Sequence, residues 1–172
     1  AASVQVPLRG DGTHDLEAMA AAVTERTRII LLCTPNNPTG PALKTAEVEA
    51  FLAKIPADVI VVIDEAYEDF VRDPEVVNGI GMYRKYPNVV VLRTFSKAFS
   101  LAGVRLGYLL GSEAALREFK KVPQPYSVDA VSQAIARVVY ANRAEFERGI
   151  DLIISERARL LEELGAMDRL TA

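Results

Sequence analysis

One stretch of this chain leaves it little freedom. Val59 to Asp64, V-I-V-V-I-D, is apolar at five successive positions and ends on a carboxylate. An amphipathic helix or a half-exposed strand needs polar residues at regular intervals, so a β-branched run of this kind fits a strand buried on both faces. Strands of that type sit inside parallel sheets with helices packed on either side. The rest of the chain has matching punctuation. Short apolar runs at Ser3 to Leu8, Arg28 to Cys33, Val89 to Arg93 and Arg105 to Leu110 read as further strands. Segments of helical period lie between them at Asp15 to Glu25, Thr45 to Lys54 and Gly79 to Tyr86. The alternation predicts an α/β fold with a three-layer, mainly parallel sheet and helices on both faces.

Beyond Gly111 the pattern turns helical, at Ser112 to Lys121, Ser127 to Tyr140 and Arg143 to about Leu164. Pro123, Pro125 and Tyr126 separate the first two of these helices, because proline lacks the amide donor and restricts the residue before it. The expected organisation is a sheet domain over residues 1–142 and a helical segment over residues 143–172. The apolar residues of that segment, Ile150, Ile153, Ile154, Leu160, Leu161 and Leu164, either lie against the sheet domain or bridge to something beyond it.

Composition narrows the function classes. The 172 residues carry a net charge of -3, with acidic and basic side chains interspersed. No basic stripe marks a nucleic-acid partner and no polybasic patch marks a membrane surface. The apolar runs fall far short of the roughly 20 residues that a membrane span needs. A single cysteine closes no internal disulfide and builds no Cys-rich zinc site, which points to a reducing, cytoplasmic setting and no metal. The chain starts without a signal-peptide pattern and without an initiator methionine, so residue 1 is expected to be a processing or truncation point. A small molecule or a second copy of the chain is the expected partner.

In open α/β sheets, ligands bind beyond the carboxyl ends of the strands. Three polar clusters occupy those places: Thr34 to Gly40 (T-P-N-N-P-T-G), Asp64 to Tyr67 (D-E-A-Y) and Thr94 to Lys97 (T-F-S-K). A strand-end carboxylate such as Asp64 calls for a cationic or donor partner, or else caps a following helix. An arginine such as Arg105 can grip an anion through two oxygens, with the Thr94 and Ser96 hydroxyls as further donors or as caps of the turn after them. No G-x-G-x-x-G follows the first strand, which disfavours a nucleotide-binding domain.

The strings N-N-P-T-G, D-E-A-Y and T-F-S-K-A-F-S-L-A-G-V-R-L-G-Y, in this order, resemble the fold-type I pyridoxal-phosphate aminotransferases. Within them the histidinol-phosphate enzymes come first, followed closely by relatives that act on aromatic amino acids such as phenylalanine. The resemblance covers essentially the whole chain and implies that residues 1–142 are part of the family's cofactor-binding large domain. Residues 143–172 then lead towards its small domain.

What the resemblance implies for the site is specific. Lys97 forms a Schiff base with the aldehyde of pyridoxal 5'-phosphate and moves the substrate proton, for which its amine must be neutral, a state favoured by desolvation and nearby positive charge. A solvated surface lysine is the plain alternative. Thr94, Ser96 and Arg105 hold the phosphate. Asp64 faces the ring nitrogen, with Glu65 left to structure or to supporting the cofactor contacts from behind. Tyr67, taken to lie one helical turn after Asp64, and Asn37 donate to the ring oxygen, Tyr67 otherwise being a half-buried core tyrosine. Pro38 is expected to rigidify its turn, through a cis peptide if one forms, and Gly40 to allow a positive φ.

The substrates implied are a small-molecule amino donor and a 2-oxo acid, histidinol phosphate with 2-oxoglutarate first, in a homodimer when complete. The glycine-containing phosphate loop and the aromatic residue that stacks on the ring are expected upstream of residue 1, and the substrate-binding arginine beyond Ala172. A reading of another class is a non-catalytic fragment that needs those flanks. His14 is read as a turn or cap residue and Cys33 as a small buried hydrophobe. Tyr126 and Ser127 are possible substrate or partner contacts.

Overall fold

The computed structural model describes residues 2–122 and 127–167. Pro123, Pro125 and Tyr126, and with them the expected break and the Tyr126 contact, lie outside the described residues. Four strands make one sheet in the order β1 (Ile29–Cys33), β2 (Ile60–Asp64), β3 (Val89–Thr94) and β4 (Gly107–Gly111). The first three run parallel, with Cys33 opposite Asp64 and Asp64 opposite Leu92. The last runs antiparallel, with Thr94 opposite Gly107. No crossover helix separates β3 from β4, and a loop without one returns the chain antiparallel.

Helices α1 (Leu16–Ala21), α2 (Thr45–Leu52) and α3 (Gly79–Lys85) cover one face of the sheet. Ile30, Leu32, Val61, Ile63, Val89 and Val91 meet Leu16, Val48, Phe51 and Met82 there in one apolar core. These residues alternate along each strand, as a period of two requires. The apolar run that opened the sequence is thus an interior strand, with Val61 and Ile63 wholly buried on the helix side and Val62 nearly so on the other. On β1, the edge strand, Ile29 and Leu31 are 54% and 67% exposed on that second face.

The sequence over-reads two elements. Ser3 to Leu8 is not a strand: it has no ladder partner among the described residues and leaves Val4 and Leu8 exposed. Pro7 removes a ladder donor, and alternation without a buried face brings no hydrophobic gain. Helix α1 starts on the Asp15 cap, whose carboxylate accepts the Ala18 N–H at 3.0 Å, but stops at Ala21 rather than near Glu25. The Thr24 N–H turns instead to Thr27 Oγ1 at 2.9 Å, a local bond that competes with the helix.

Helices α4 (Glu113–Phe119), α5 (Ala130–Ala141) and α6 (Ala144–Gly165) follow. Ser112 caps α4 at 3.3 Å and Asp129 caps α5 through the N–H groups of Val131 and Ser132, each at 2.9 Å. The chain forms two compact units: Ala1–Thr94 with Gly107–Ser127, and Phe95–Leu106 with Val128–Ala172. No helix among the described residues is long and apolar enough to cross a membrane.

Candidate active site

Register alone gathers part of the site in the first unit. Neighbouring residues paired across parallel strands share a face, and every second residue returns to it. Cys33, Asp64, Leu92 and Thr94 therefore share the sheet face turned away from α1, α2 and α3, while Ile63 and Val91 point into the helix-covered core. The Asp64 Oδ1 atom accepts the Ala66 N–H at 3.0 Å, closing a turn. No α-helix starts there, because a 3-10 turn at Glu68–Phe70 follows. Asp64 consequently caps no helix, and among the described residues it has no ion-pair partner.

Tyr67 precedes that 3-10 turn rather than lying one α-helical turn beyond Asp64. It is half-buried, its ring centroid 6.4 Å from that of Phe70. Asn37 is exposed in the turn after β1. That turn is built by backbone bonds from Asn36 N to Pro41 O at 2.9 Å and from Gly40 N to Asn36 O at 2.8 Å. Gly40 has φ 94°, as its place in the turn predicts, and the Thr34–Pro35 and Asn37–Pro38 peptides are both cis. Thr34 is buried, its Oγ1 accepting the Leu43 N–H at 2.9 Å.

Cys33 is half-buried, its thiol 3.6 Å from the Pro35 carbonyl, so it is less enclosed than a core hydrophobe. Burial pushes its pKa up against the pull of the Asn37 N–H, and the Asp64 charge adds to the rise. His14 Nε2 stands 3.2 Å from Cys33 N and 3.0 Å from Cys33 O. It closes the open edge of β1, in keeping with a capping role.

The residue after Asp64 has the opposite environment. Glu65 is fully buried on the helix side. Its Oε1 accepts the Gly79 N–H at 2.5 Å and its Oε2 accepts Arg93 Nε at 2.9 Å. Arg93 Nη2 lies 2.8 Å from Glu65 Oε2 and 3.2 Å from Glu68 Oε1, as charge contacts rather than aligned hydrogen bonds. Burial raises the Glu65 carboxyl, while the Gly79 N–H and the Arg93 guanidinium pull it back. Sequence reasoning leaves Arg93 without a role. The signal that exposes it is its place as the one charged residue in Val89–Thr94, beside a strand end that carries D-E.

The second unit holds the other candidates on the loop Phe95–Leu106. A bond from Phe95 N to Leu106 O at 3.1 Å closes this loop, with Leu101 N to Phe95 O at 3.1 Å inside it. Phe95 and Phe99 are buried, their ring centroids 5.3 Å apart, and Phe99 meets Phe146 of α6 edge-on at 5.5 Å. Ser132 of α5 donates to Asp129 Oδ2 at 2.5 Å and to the Val104 carbonyl at 3.4 Å.

On this anchored loop Ser96 is half-buried, whereas Lys97 and Arg105 are exposed. Lys97 thus stands open to solvent on the loop. Arg105 also lies outside β4, which starts at Gly107. Its φ of 56° puts it in the left-handed region, and its Nη1 donates to the Ala102 carbonyl at 2.8 Å. The bend this produces is why the strand begins two residues later than its sequence suggests. The first unit thus offers a carboxylate, a phenol, an amide and a hydroxyl near the strand ends. The loop offers an amine, a hydroxyl and a guanidinium. No group of three or more potential metal ligands occurs among the described residues.

Known proteins share both the sequence and the fold. The aromatic amino acid aminotransferase of Streptomyces avermitilis is 46% identical over 164 residues, which cover 95% of this chain and 46% of that protein. The aromatic amino acid aminotransferase of Rhodococcus opacus is 49% identical over 164 residues, 95% of this chain and 45% of its own. The crystal structure of histidinol-phosphate aminotransferase from Sinorhizobium meliloti in complex with pyridoxal-5'-phosphate superposes with a TM-score of 0.85 at 31% identity, over 94% of this chain and 44% of that one. The chain spans under half the length of these relatives. The family model "Aminotransferase class I and II" matches residues 1–171, in keeping with the polar strand ends of a mainly parallel sheet. On that match over nearly its full length, this chain belongs to the class I and II aminotransferases.

Proposed function

We propose that this chain supplies the cofactor-holding part of a pyridoxal-phosphate-dependent transaminase. Asp64 is the observation that carries the reading: a strand-end carboxylate on the sheet face away from the helices, bonded to one backbone N–H and to no cation among the described residues. Such a group fits a protonated ring nitrogen. The remaining donors fit the rest of the molecule: Asn37 and Tyr67 for the ring oxygen, and Thr94, Ser96 and Arg105 for the phosphate. Bound there, pyridoxal phosphate supplies an electron sink beside the carbon that carries the substrate's amino group.

The chain's own residues do the rest. Asp64 holds a proton at the ring nitrogen. The Arg105 guanidinium and the two hydroxyls hold the phosphate and so fix the cofactor's orientation. Lys97 would hold the cofactor through its amine and, once free, would carry the proton from the substrate's α-carbon to the cofactor. Borohydride reduction of the cofactor-loaded protein followed by peptide mapping is expected to label Lys97. Label on any other lysine overturns the assignment.

For the substrate we propose an aromatic amino acid as donor and a 2-oxo acid as acceptor. The sequence strings rank histidinol phosphate first, but identity of 46% and 49% to two aromatic amino acid aminotransferases supports the reverse order. Histidinol phosphate is the second reading, supported by the likeness to the Sinorhizobium meliloti enzyme. The ratio of kcat/KM for phenylalanine and histidinol phosphate, each with 2-oxoglutarate, separates them. At least about tenfold in favour of phenylalanine is expected, which corresponds to roughly 1.4 kcal/mol. A reversed ratio establishes the second reading.

For the whole protein we propose a homodimer, as the family resemblance implies, in a reducing cytoplasm, as the single cysteine suggests. The other class of reading, a non-catalytic fragment that binds cofactor poorly or only within an oligomer and needs its flanks, would be excluded by full transamination from these 172 residues alone.

A further inference from the structure

Two closely held charges in the first unit are not proposed cofactor contacts but the immediate chain neighbours of such contacts. Glu65 follows Asp64, and Arg93 precedes Thr94. Successive strand residues point to opposite faces, so Glu65 and Arg93 meet on the helix side while Asp64 and Thr94 share the other. Glu65 is held from two directions, by the Gly79 N–H at the start of α3 and by the Arg93 guanidinium. Arg93 in turn reaches Glu68, whose Oε1 also accepts Asn78 Nδ2 at 3.2 Å. Asn78 caps α3 by accepting the Ile80 N–H at 3.0 Å. A Cβ on Gly79 would lie 2.7 Å from Val91 Cγ2 and 3.0 Å from Glu65 Oε1, so the carboxylate fills its space without slack.

Stability alone does not explain an ion pair in this place. The flanking residues on the same face, Ile63 and Val91, are wholly buried and apolar. A buried ion pair is often no more stabilising than an apolar pair of similar volume. What it adds is direction: bonds to Gly79 and Arg93 fix the rotation of the backbone at the ends of β2 and β3.

We propose that the Glu65–Arg93 pair is the positioning bracket of the cofactor site, setting where Asp64 meets the ring nitrogen and Thr94 the phosphate. This rests on the reading of Asp64 and Thr94 as cofactor contacts. Neither Glu65 nor Arg93 is a catalytic residue; both act through their neighbours.

The test uses the complete protein and three readouts: the cofactor dissociation constant from absorbance titration, the pH titration of the bound cofactor's visible band, and kcat against KM. The double variant Glu65→Leu with Arg93→Leu removes both charges and keeps an apolar core. Expected are a melting temperature close to that of the parent, cofactor binding weakened about tenfold, a displaced spectral titration, and kcat reduced about a hundredfold with KM changed less than threefold. An unchanged dissociation constant and titration in a folded double variant overturn the bracket.

If that variant does not fold, Glu65→Gln carries the same readouts, because its amide must turn a donor towards either the Gly79 N–H or the guanidinium. About threefold weaker binding with a displaced titration is expected, and parent-like values overturn the bracket. Asp64→Asn separates the two levels. Loss of binding and a displaced titration in Asp64→Asn, beside parent-like Glu65 and Arg93 variants, remove only the bracket. Parent-like behaviour of Asp64→Asn removes the cofactor reading and the bracket with it.

Discussion

The edge of the sheet at Asp64 and Thr94 and the loop at Lys97 and Arg105 hold chemical groups in contrasting ways. The edge is rigid by construction. Asp64 ends a parallel register with β1 and β3, Thr94 pairs antiparallel with Gly107, Ile63 and Val91 beside them are wholly buried, and an ion pair pins the backbone beneath. The loop is held mainly by an aromatic chain from Phe95 through Phe99 to Phe146, while Lys97 and Arg105 stay exposed. Ser100 and Arg105 are the two non-glycine residues with positive φ among the described residues, and both lie on this loop. The contrast divides the proposed duties: the carboxylate that meets the ring nitrogen sits at a strand end, and the amine that must attach, release and move a proton sits on a loop.

If rigidity at the edge comes from close packing, shortening a core side chain beneath it has the largest effect. Ile63→Ala removes a wholly buried side chain from β2. It is expected to lower stability by about 3–4 kcal/mol in urea titration, in the range for cavities of this kind. A loss under about 1 kcal/mol breaks the comparison, since the edge would then be as yielding as the loop. Gly79→Ala comes next. Its Cβ must displace Val91 and the Glu65 carboxylate, and overpacking of this kind costs about 1–3 kcal/mol. Hydrogen exchange should quicken at Glu65 and Gly79 in that variant and stay at parent values on the loop at 95–106.

Sequence made the two regions legible to different degrees. Val59 to Asp64 exposed the interior strand because only a two-sided core explains five apolar residues in a row. The strand ends that follow from it are the places the structure brings into register. Ser3 to Leu8 shows the limit of that logic, since its alternation was right for a strand but no neighbour supplies a buried face. The bracket was half-hidden for a related reason. D-E at a strand end announces a carboxylate, but which of the two turns inward, and that Arg93 meets it from 28 positions away, depends on tertiary register. Arg105 looked like a strand residue because φ is not written in side-chain type, and its left-handed backbone ends the ladder before it.

Loop anchoring is tested more gently. Phe146→Ala removes the outer ring of the aromatic chain, an edge-on contact worth about 1 kcal/mol beyond burial. Expected is an increase of at least about fivefold in proteolytic cleavage within residues 95–106, the population change that the ring contact alone produces, with no change in exchange at β2. Equal quickening of β2 would mean that the two regions open together, and the distinction between strand-held and loop-held groups would fail.

The smallest effect concerns backbone strain. Ser100 has φ 55°, a conformation in which an L side chain crowds its own carbonyl at about 1–2 kcal/mol. Ser100→Gly removes the crowding but adds freedom to the unfolded chain, an opposing term of about 0.4–1 kcal/mol. The net expectation is stabilisation of about 0.8 kcal/mol, read as a rise of roughly two or three degrees in melting temperature. Ser100→Val, branched at Cβ, should shift it the other way and further. A loop that tolerates both alike stores no strain, and its difference from the sheet edge then reduces to exposure alone.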